Sequence, residues 1–311
     1  MHLVTGASGW LGQRLMLRLP QARAFTGDLR DAAAIDAFCR DARGAVLFHC
    51  AGVIHPPRMR DFVDVNAGGA RRMLDAAARA GVRRAVVVSS NSPFGANPTR
   101  TDLFDEDSPY HPSMGYGHSK MLMERAVAEV QARGTLETVV IRPPWFYGPG
   151  QPARQSQFFR MVRRGLFPIL GDGEQRRSLT NVENLCDALL LAARVPEANG
   201  RAYWVADPRP YTMNEIVDTI RRLMRDELTL TVATHSVRLP SWVGDVAERC
   251  DAVLQRLGVY HEKIHVLGEL NKTIACSIDR ARRELGYAPR FTLDDGMRAS
   301  LRWCVEQGIA L

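Results

Sequence analysis

The sequence predicts an α/β protein with a doubly wound parallel sheet and a smaller C-terminal lobe. Three observations carry this expectation. Short apolar strands without alternation, among them Ala45–Cys50, Ala85–Val88 and Thr138–Ile141, are separated by helical stretches, as in a sheet covered on both faces. The first strand runs directly into Thr5-Gly6-Ala7-Ser8-Gly9-Trp10-Leu11-Gly12, with three glycines spaced G-x-x-G-x-x-G ahead of a helical pattern. After Arg142 the chain changes character, to a rigid aromatic loop and then a region where helices dominate.

The glycine stretch comes first in the chain and organises the rest. A pyrophosphate needs a tight turn, a backbone it can approach and the free N–H groups of a helix start. Glycine supplies the first two because it lacks Cβ. Strand before and helix after make this a predicted dinucleotide site on a Rossmann-type sheet. The helix, Leu11 to Leu19, stops at Pro20. Gly27-Asp28-Leu29 precedes a helix from about Asp31 to Arg43. The strand 45–50 ends at Ala51-Gly52, and a helix from about Phe62 to Arg79 stops at Gly81. The strand 85–88 ends at Ser89-Ser90. A helix from about Tyr116 to Arg133 leads to the strand 138–141. Next come a helix near 158–165, a helix near 182–194 and a strand at 202–205. The expected division is residues 1–142 for the dinucleotide domain, with returning segments at about 179–206. Residues 143–178 and 207–311 form the substrate lobe.

Composition narrows the function. The 311 residues carry a formal charge of +7 from scattered arginines. No basic run is interleaved with aromatics, which argues against nucleic acid, while an anionic small molecule suits the charge. No window approaches a membrane span, and no leader is expected before the first strand. The six cysteines, with no close pair, suit a reducing cytoplasm.

Tyr116 and Lys120 stand four residues apart at a helix start, hence on one face. A tyrosine with pKa near 10 is a poor base at pH 7. An adjacent ammonium, or an oxidised nicotinamide, stabilises the phenolate.

In these residues the chain resembles the extended short-chain dehydrogenases/reductases of the NAD-dependent epimerase/dehydratase type. The resemblance runs through Thr5–Gly12, Gly27-Asp28-Leu29, Ala51-Gly52, Val65-Asn66, Ser89-Ser90, Phe94-Gly95, Tyr116 with Lys120, Arg142-Pro143, Tyr147–Gly150, Gly171-Asp172-Gly173 and Arg177-Ser178. It implies Tyr116 as general acid/base, Ser90 as a hydrogen-bond partner of the same substrate oxygen, and Lys120 as the group that lowers the tyrosine pKa and binds the nicotinamide ribose. It implies NAD or NADP held by Gly6, Ser8, Gly9, Trp10, Leu11, Gly12, Asp28, Leu29, Ala51, Gly52, Asn66, Ser89, Tyr116, Lys120 and Pro143, with Ser89 either structural or on the cofactor side. Substrate would meet Asn91, Ser92, Trp145 and Arg177. A homodimer through the helices 62–79 and 116–133 is likewise implied.

The sequence departs from that family in three places. The stretch between the first helix and Gly27-Asp28-Leu29 is too short for the usual second strand, helix and third strand. Asp28 fits the ribose-binding acid about 20 residues past the glycines. Asp28-Leu29 reads better as the adenine-side pair of the third strand, because one helix then leads to the next strand as the family expects. This leaves the second strand and its helix deleted. The residue that usually separates NAD from NADP is then missing. Asn91 and Ser92 replace the acidic pair of the sugar dehydratases, which argues against dehydration. Trp145 makes the substrate wall more apolar, as in members resembling 3β-hydroxysteroid dehydrogenases, whereas Arg177 suits a diphosphate.

The expected function is hydride transfer to or from a secondary alcohol or ketone of a nucleotide-activated sugar, as an epimerase or ketoreductase. A hydroxysteroid-like apolar alcohol is the alternative, and a non-catalytic dinucleotide-binding regulator is the alternative of another class. His261-Glu262-Lys263-Ile264-His265 matches the zinc-protease spacing H-E-x-x-H. It sits in the C-terminal lobe of an oxidoreductase pattern, and no metal is expected there.

Overall fold

The computed structural model describes residues 1–113 and 115–311. Its centre is a six-stranded parallel sheet. The strands are β1 (His2–Thr5), β2 (Arg23–Phe25), β3 (Val46–His49), β4 (Arg84–Val88), β5 (Glu137–Arg142) and, much later, Arg201–Trp204. The last of these pairs with β5, and the order across the sheet places β2 at one edge, then β1, β3, β4 and β5.

The strands carry apolar side chains on both faces. Val4, Phe48, Val86, Val88, Val139 and Ile141 enter one core, while Leu3, Leu47, Val87 and Val140 enter the other. Burial on both faces requires helices on both, which is why no strand alternates. α1 (Trp10–Arg18) and a later helix, Val182–Arg194, cover the first face. The second face takes α2 (Ala32–Cys39), α3 (Ala70–Arg79) and α4 (Tyr116–Ala132). The helix expected from 62 to 79 is in two parts: Phe62–Gly69 is π-helical and only then does α3 begin. Gly69 lets this segment close on Leu29, because a Cβ there would lie 2.7 Å from the Leu29 Cβ. α3 and α4 lie side by side, tied by Arg71–Glu129 and Arg133–Asp75.

Only one strand flanks β1 on the β2 side, as the short spacing before Gly27 requires. The strand ends at Phe25, so Asp28 lies three residues beyond it rather than on it. With a strand–helix unit missing, β2 pairs directly with β1.

The rest of the chain alternates between the sheet and the lobe. It runs through β6 (Trp145–Tyr147), α5 (Ala153–Arg163), β7 (Pro168–Leu170), β8 (Arg176–Arg177), β9 (Leu179–Asn181), α6 (Val182–Arg194) and β10 (Arg201–Trp204). β11 (Tyr211–Thr212), α7 (Met213–Asp226), β12 (Val237–Leu239), α8 (Trp242–Arg256), α9 (Glu262–Glu269), α10 (Asp279–Leu285) and α11 (Leu293–Glu306) complete it. α7 starts on a capping box, in which Thr212 and Glu215 each accept the other's backbone N–H. Its apolar stripe of Ile216, Val217, Ile220 and Leu223 joins α5 and α11 in a third core. The division of the chain differs from expectation at one place. Ile274, Cys276, Ile278, Ala281, Leu285 and Tyr287 pack with Trp204 in the first core. The segment around α10 therefore returns to the sheet, whereas the sequence places 207–311 whole in the lobe.

Candidate active site

The carboxyl ends of β1, β3, β4 and β5 open on one rim, and the strand order changes direction between β1 and its neighbours. Ligands of open parallel sheets gather at such a switch point. The glycine turn lies there. Gly6 has φ of +70°, and a Cβ on it would lie 2.7 Å from the Ala51 nitrogen, so only glycine fits between β1 and the end of β3. A Cβ on Gly12 would lie 2.0 Å from the Gly6 carbonyl oxygen, which sets the close approach of α1 to the turn. Gly9 stands just before α1, where a Cβ would meet only the Gly6 oxygen, at 3.3 Å. The turn thus forms a cradle without side chains at a helix N-terminus, and a dinucleotide pyrophosphate fits it.

The neighbouring expectations separate into residues that face this cradle and residues that hold it. Trp10 sends its indole N–H to the Pro149 carbonyl, 2.9 Å away, and packs at a tilt on Phe146, so its side chain serves the 143–150 segment. Leu11 is buried in the first core and Leu29 in the second. The Asp28 carboxylate is taken by Arg30, 2.6 Å away, which lowers its pKa. Asn66 is 1 % exposed and fully engaged: its Oδ1 accepts from Val53 N–H, and its Nδ2 donates to the Val53 carbonyl and to Ser119 Oγ. Asn66 therefore fixes the loop after β3 to the start of α4. A Cβ on Gly52 would lie 3.1 Å from Asn66 Oδ1 and 3.6 Å from Lys120 Nζ, which draws these three residues together. Ser89 donates to Glu124, whose carboxylate also meets Arg142 at 2.7 Å and Tyr110 at 2.7 Å. This buried pair locks α4 to β5, and Ser89 belongs to it rather than to the cradle. Pro143 follows β5 and is buried.

Ser90, Tyr116 and Lys120 converge. The Ser90 loop and α4 touch closely: a Cβ on Gly117 would lie 2.5 Å from the Ser92 carbonyl oxygen. Ser90 Oγ lies 3.1 Å from Ser92 Oγ and accepts from the Ser92 N–H at 3.2 Å. It also donates toward Asn91 Oδ1 at 3.4 Å. Burial pushes the Tyr116 phenol up to about 12, and the neighbouring Ser90 and the charge of Arg154 oppose the shift. Burial likewise brings Lys120 down to about 8, against the pull of Glu124. Lys120 Nζ donates to the Val88 carbonyl at 2.8 Å and lies 6.0 Å from the Tyr116 ring centroid. The four-residue spacing puts both groups on one face, yet the ammonium is anchored to the sheet by its bond to the Val88 carbonyl.

Trp145 is half-buried and meets Phe158 edge-on. Arg177 is 9 % exposed and donates to the Glu269 carbonyl oxygen. Among the described residues no carboxylate lies within salt-bridge distance of it, and burial lowers its pKa despite the charge of Glu269. A cavity of about 1240 Å³ lies elsewhere, lined by Arg176, Arg209, Tyr211, Arg222 and Asp294, and does not include the three converging residues.

Several residues around Tyr116 escape the sequence reading. Phe62 packs on Tyr116 and meets Tyr260 edge-on at 5.6 Å. His55 Nδ1 lies 3.0 Å from the Tyr260 hydroxyl. The H-E-x-x-H histidines have other work: His261 caps α9 by accepting from the Ile264 N–H, and His265 pairs with Asp251 at 2.7 Å. Among the described residues no cluster of three His, Cys, Asp or Glu is placed to hold a metal ion.

Sheet, glycine cradle and the Ser90, Tyr116 and Lys120 group define a nicotinamide-dinucleotide-dependent oxidoreductase of the extended short-chain type. The model of the NAD dependent epimerase/dehydratase family matches residues 2–206, and the chain belongs to that family. An uncharacterized protein y4nL of Sinorhizobium fredii is 48% identical, over 98% of this chain and 95% of its own. A 3 beta-hydroxysteroid dehydrogenase/Delta 5-->4-isomerase of Mycobacterium tuberculosis is 29% identical, over 97% of this chain and 90% of its own. Among solved structures, MoeE5 in complex with UDP-glucuronic acid and NAD has a TM-score of 0.75. It is 23% identical and covers 98% of this chain and 99% of its own. The cofactor is NAD or NADP. Among the described residues no helix is long and apolar enough to cross a membrane.

Proposed function

We propose that the protein moves hydride between the dinucleotide and a secondary alcohol or ketone of a nucleotide-activated sugar, as an epimerase or ketoreductase. Arg177 carries the substrate half of this reading. Among the described residues this buried guanidinium bonds one backbone carbonyl, which leaves N–H donors free for an anion. A diphosphate matches its fork of donors. The MoeE5 complex holds a UDP-sugar on the same fold.

In this reading Tyr116 exchanges a proton with the substrate oxygen, and Ser90 hydrogen-bonds that oxygen. Asn91 and Ser92 set the Ser90 hydroxyl and flank the substrate, and Trp145 forms its apolar wall. Gly6, Ser8, Gly9, Trp10, Leu11 and Gly12 present backbone to the pyrophosphate. Asp28 and Leu29 stand on the adenosine side, and Ala51, Gly52 and Pro143 on the nicotinamide side. The bound dinucleotide supplies the hydride acceptor or donor and, when oxidised, a positive charge beside the phenol. Lys120 supplies the resident charge. The high pKa of the buried phenol keeps Tyr116 protonated until these cations act, so the proton moves only in the assembled site. A homodimer through the helices 62–79 and 116–132 is part of the same proposal.

Kinetics and calorimetry with UDP- and dTDP-sugars test it. Arg177→Ala raises KM for the sugar nucleotide and leaves an uncharged alcohol unaffected. A wild-type protein that reduces apolar ketones and ignores every sugar nucleotide overturns the reading. Its rival is then a hydroxysteroid-like alcohol, favoured by Trp145 and by the end-to-end likeness to a 3 beta-hydroxysteroid dehydrogenase.

A further inference from the structure

We infer that α8 and α9 cover the catalytic residues and read hydroxyl donors of the substrate through two buried acceptors, Asp251 Oδ1 and Gln255 Oε1. The inference rests on the hydride-transfer reading of the site and adds the residues that select the substrate.

α8 is patterned inside out. Its buried positions are Gly244, Ala247, Asp251 and Gln255, while Trp242, Val246 and Val253 are exposed. A helix that only filled a core would bury the apolar set. The inward polar face lies over the loop that carries Tyr116. A Cβ on Gly115, the residue before Tyr116, would lie 2.6 Å from Gln255 Oε1 and 3.2 Å from the Phe62 ring. Tyr260, in the turn between α8 and α9, continues this contact by packing on Phe62.

Asp251 and Gln255 are 6 % and 4 % exposed. Gln255 Nε2 donates to Asp251 Oδ2 at 2.7 Å, and His265 Nδ1 lies 2.7 Å from the same oxygen. A carboxylate only accepts, so the amide nitrogen of Gln255 must face it and the carbonyl Oε1 must face away. Asp251 Oδ1 and Gln255 Oε1 are then left without any partner among the described residues. Both oxygens accept, and the donors beside them are already spent on Asp251 Oδ2. Buried polar atoms of this kind are ordinarily satisfied. A hydroxyl or N–H of the ligand satisfies them, and an alkyl surface does not. The cover is therefore built for a polyhydroxylated alcohol, and substrate reaches the two oxygens by replacing the contact between α8 and Gly115.

The test uses the full chain loaded with NADH. UDP-glucose and UDP are titrated by calorimetry into wild type, Gln255→Met and Asp251→Asn, with melting curves and NADH fluorescence as checks on fold and cofactor site. Wild type binds UDP-glucose about 10- to 100-fold tighter than UDP. Gln255→Met loses that margin while UDP and NADH affinities stay unchanged. A variant that keeps the wild-type margin overturns the inference, as does a wild type that binds UDP and UDP-glucose equally. In the latter case UDP binding leaves the Arg177 reading standing. If neither nucleotide binds, the nucleotide-sugar reading falls. The inference is then decided by turnover of cyclohexane-1,2-diol against cyclohexanol, and absence of a preference for the diol overturns it. Where a variant fails to fold, the wild-type ratios decide alone.

Discussion

Lys120 Nζ donates to the carbonyl oxygen of Val88 across 2.8 Å, fastening the first turns of α4 to the end of β4. The bond holds the ammonium at 6.0 Å from the Tyr116 ring, inside a buried site where its charge is poorly screened. Lys120→Met removes both the anchor and the charge. Turnover falls and dinucleotide affinity weakens together, measured by steady-state kinetics and NADH fluorescence. In wild type the lysine loses its proton near pH 8 rather than 10.5, because burial disfavours its charged form. Activity that depends on the ammonium therefore declines as the pH rises past about 8, and a rate still rising at pH 10 would contradict the assignment.

Tyr116→Phe deletes only the hydroxyl. Ring packing against Phe62 is retained, so the fold and dinucleotide binding survive. kcat drops by about 10²–10⁴-fold, the usual contribution of general acid–base catalysis. A variant with near wild-type kcat and an unchanged pH profile would remove Tyr116 from the chemistry.

Gly9→Val sets a branched side chain on the open side of the glycine cradle. A Cβ here meets only the Gly6 carbonyl oxygen, and φ at Gly9 is −78°, a value valine adopts without strain. The variant therefore folds, and its dinucleotide affinity falls by at least ~10-fold in calorimetry because the pyrophosphate can no longer approach the backbone. Unchanged affinity in a folded variant would move the cofactor elsewhere.

His49 makes acid stability a measurable property of the site. Its Nδ1 lies 2.9 Å from Thr5 Oγ1, its buried Nε2 has no partner among the described residues, and burial brings its pKa down to about 3. The folded pKa lies below the ordinary value near 6.5, so the unfolded chain binds the extra proton. Stability from neutral His49 is complete above pH 6.5 and is lost as the pH falls toward 3, by up to about 1.4 kcal/mol per pH unit. Denaturant titrations between pH 7 and 4 should give a shallower loss for His49→Gln than for wild type. Parallel curves would mean that His49 takes up its proton in the folded state.

Much of the nucleotide half was legible in the sequence because its signals are local. Gly6 and Gly12 are fixed by a turn and a close approach within a dozen residues. Unalternating strands such as Val86–Val88 announce burial on both faces. Tyr116 and Lys120 share a face through helix geometry alone. The missing strand–helix unit is also a matter of counting residues between α1 and Gly27.

The remaining features depend on contacts between distant segments, which no local pattern encodes. Ser89 belongs to the Glu124–Arg142 pair because three elements meet there. The segment around α10 returns to the sheet because Trp204 and Tyr287 share a core, although 83 positions separate them in the chain. His265 looks like half of a metal motif in one dimension, and packing gives it to Asp251 instead. Asp251 and Gln255 carry no signal in the sequence; the fold turns their face of α8 toward Gly115. Sheet, cradle and the helical spacing of Tyr116 and Lys120 are set locally, since each follows from backbone preference and period over a few residues. Tertiary structure alone decided which polar groups end up buried beside them, because burial depends on what the whole chain brings to cover a residue.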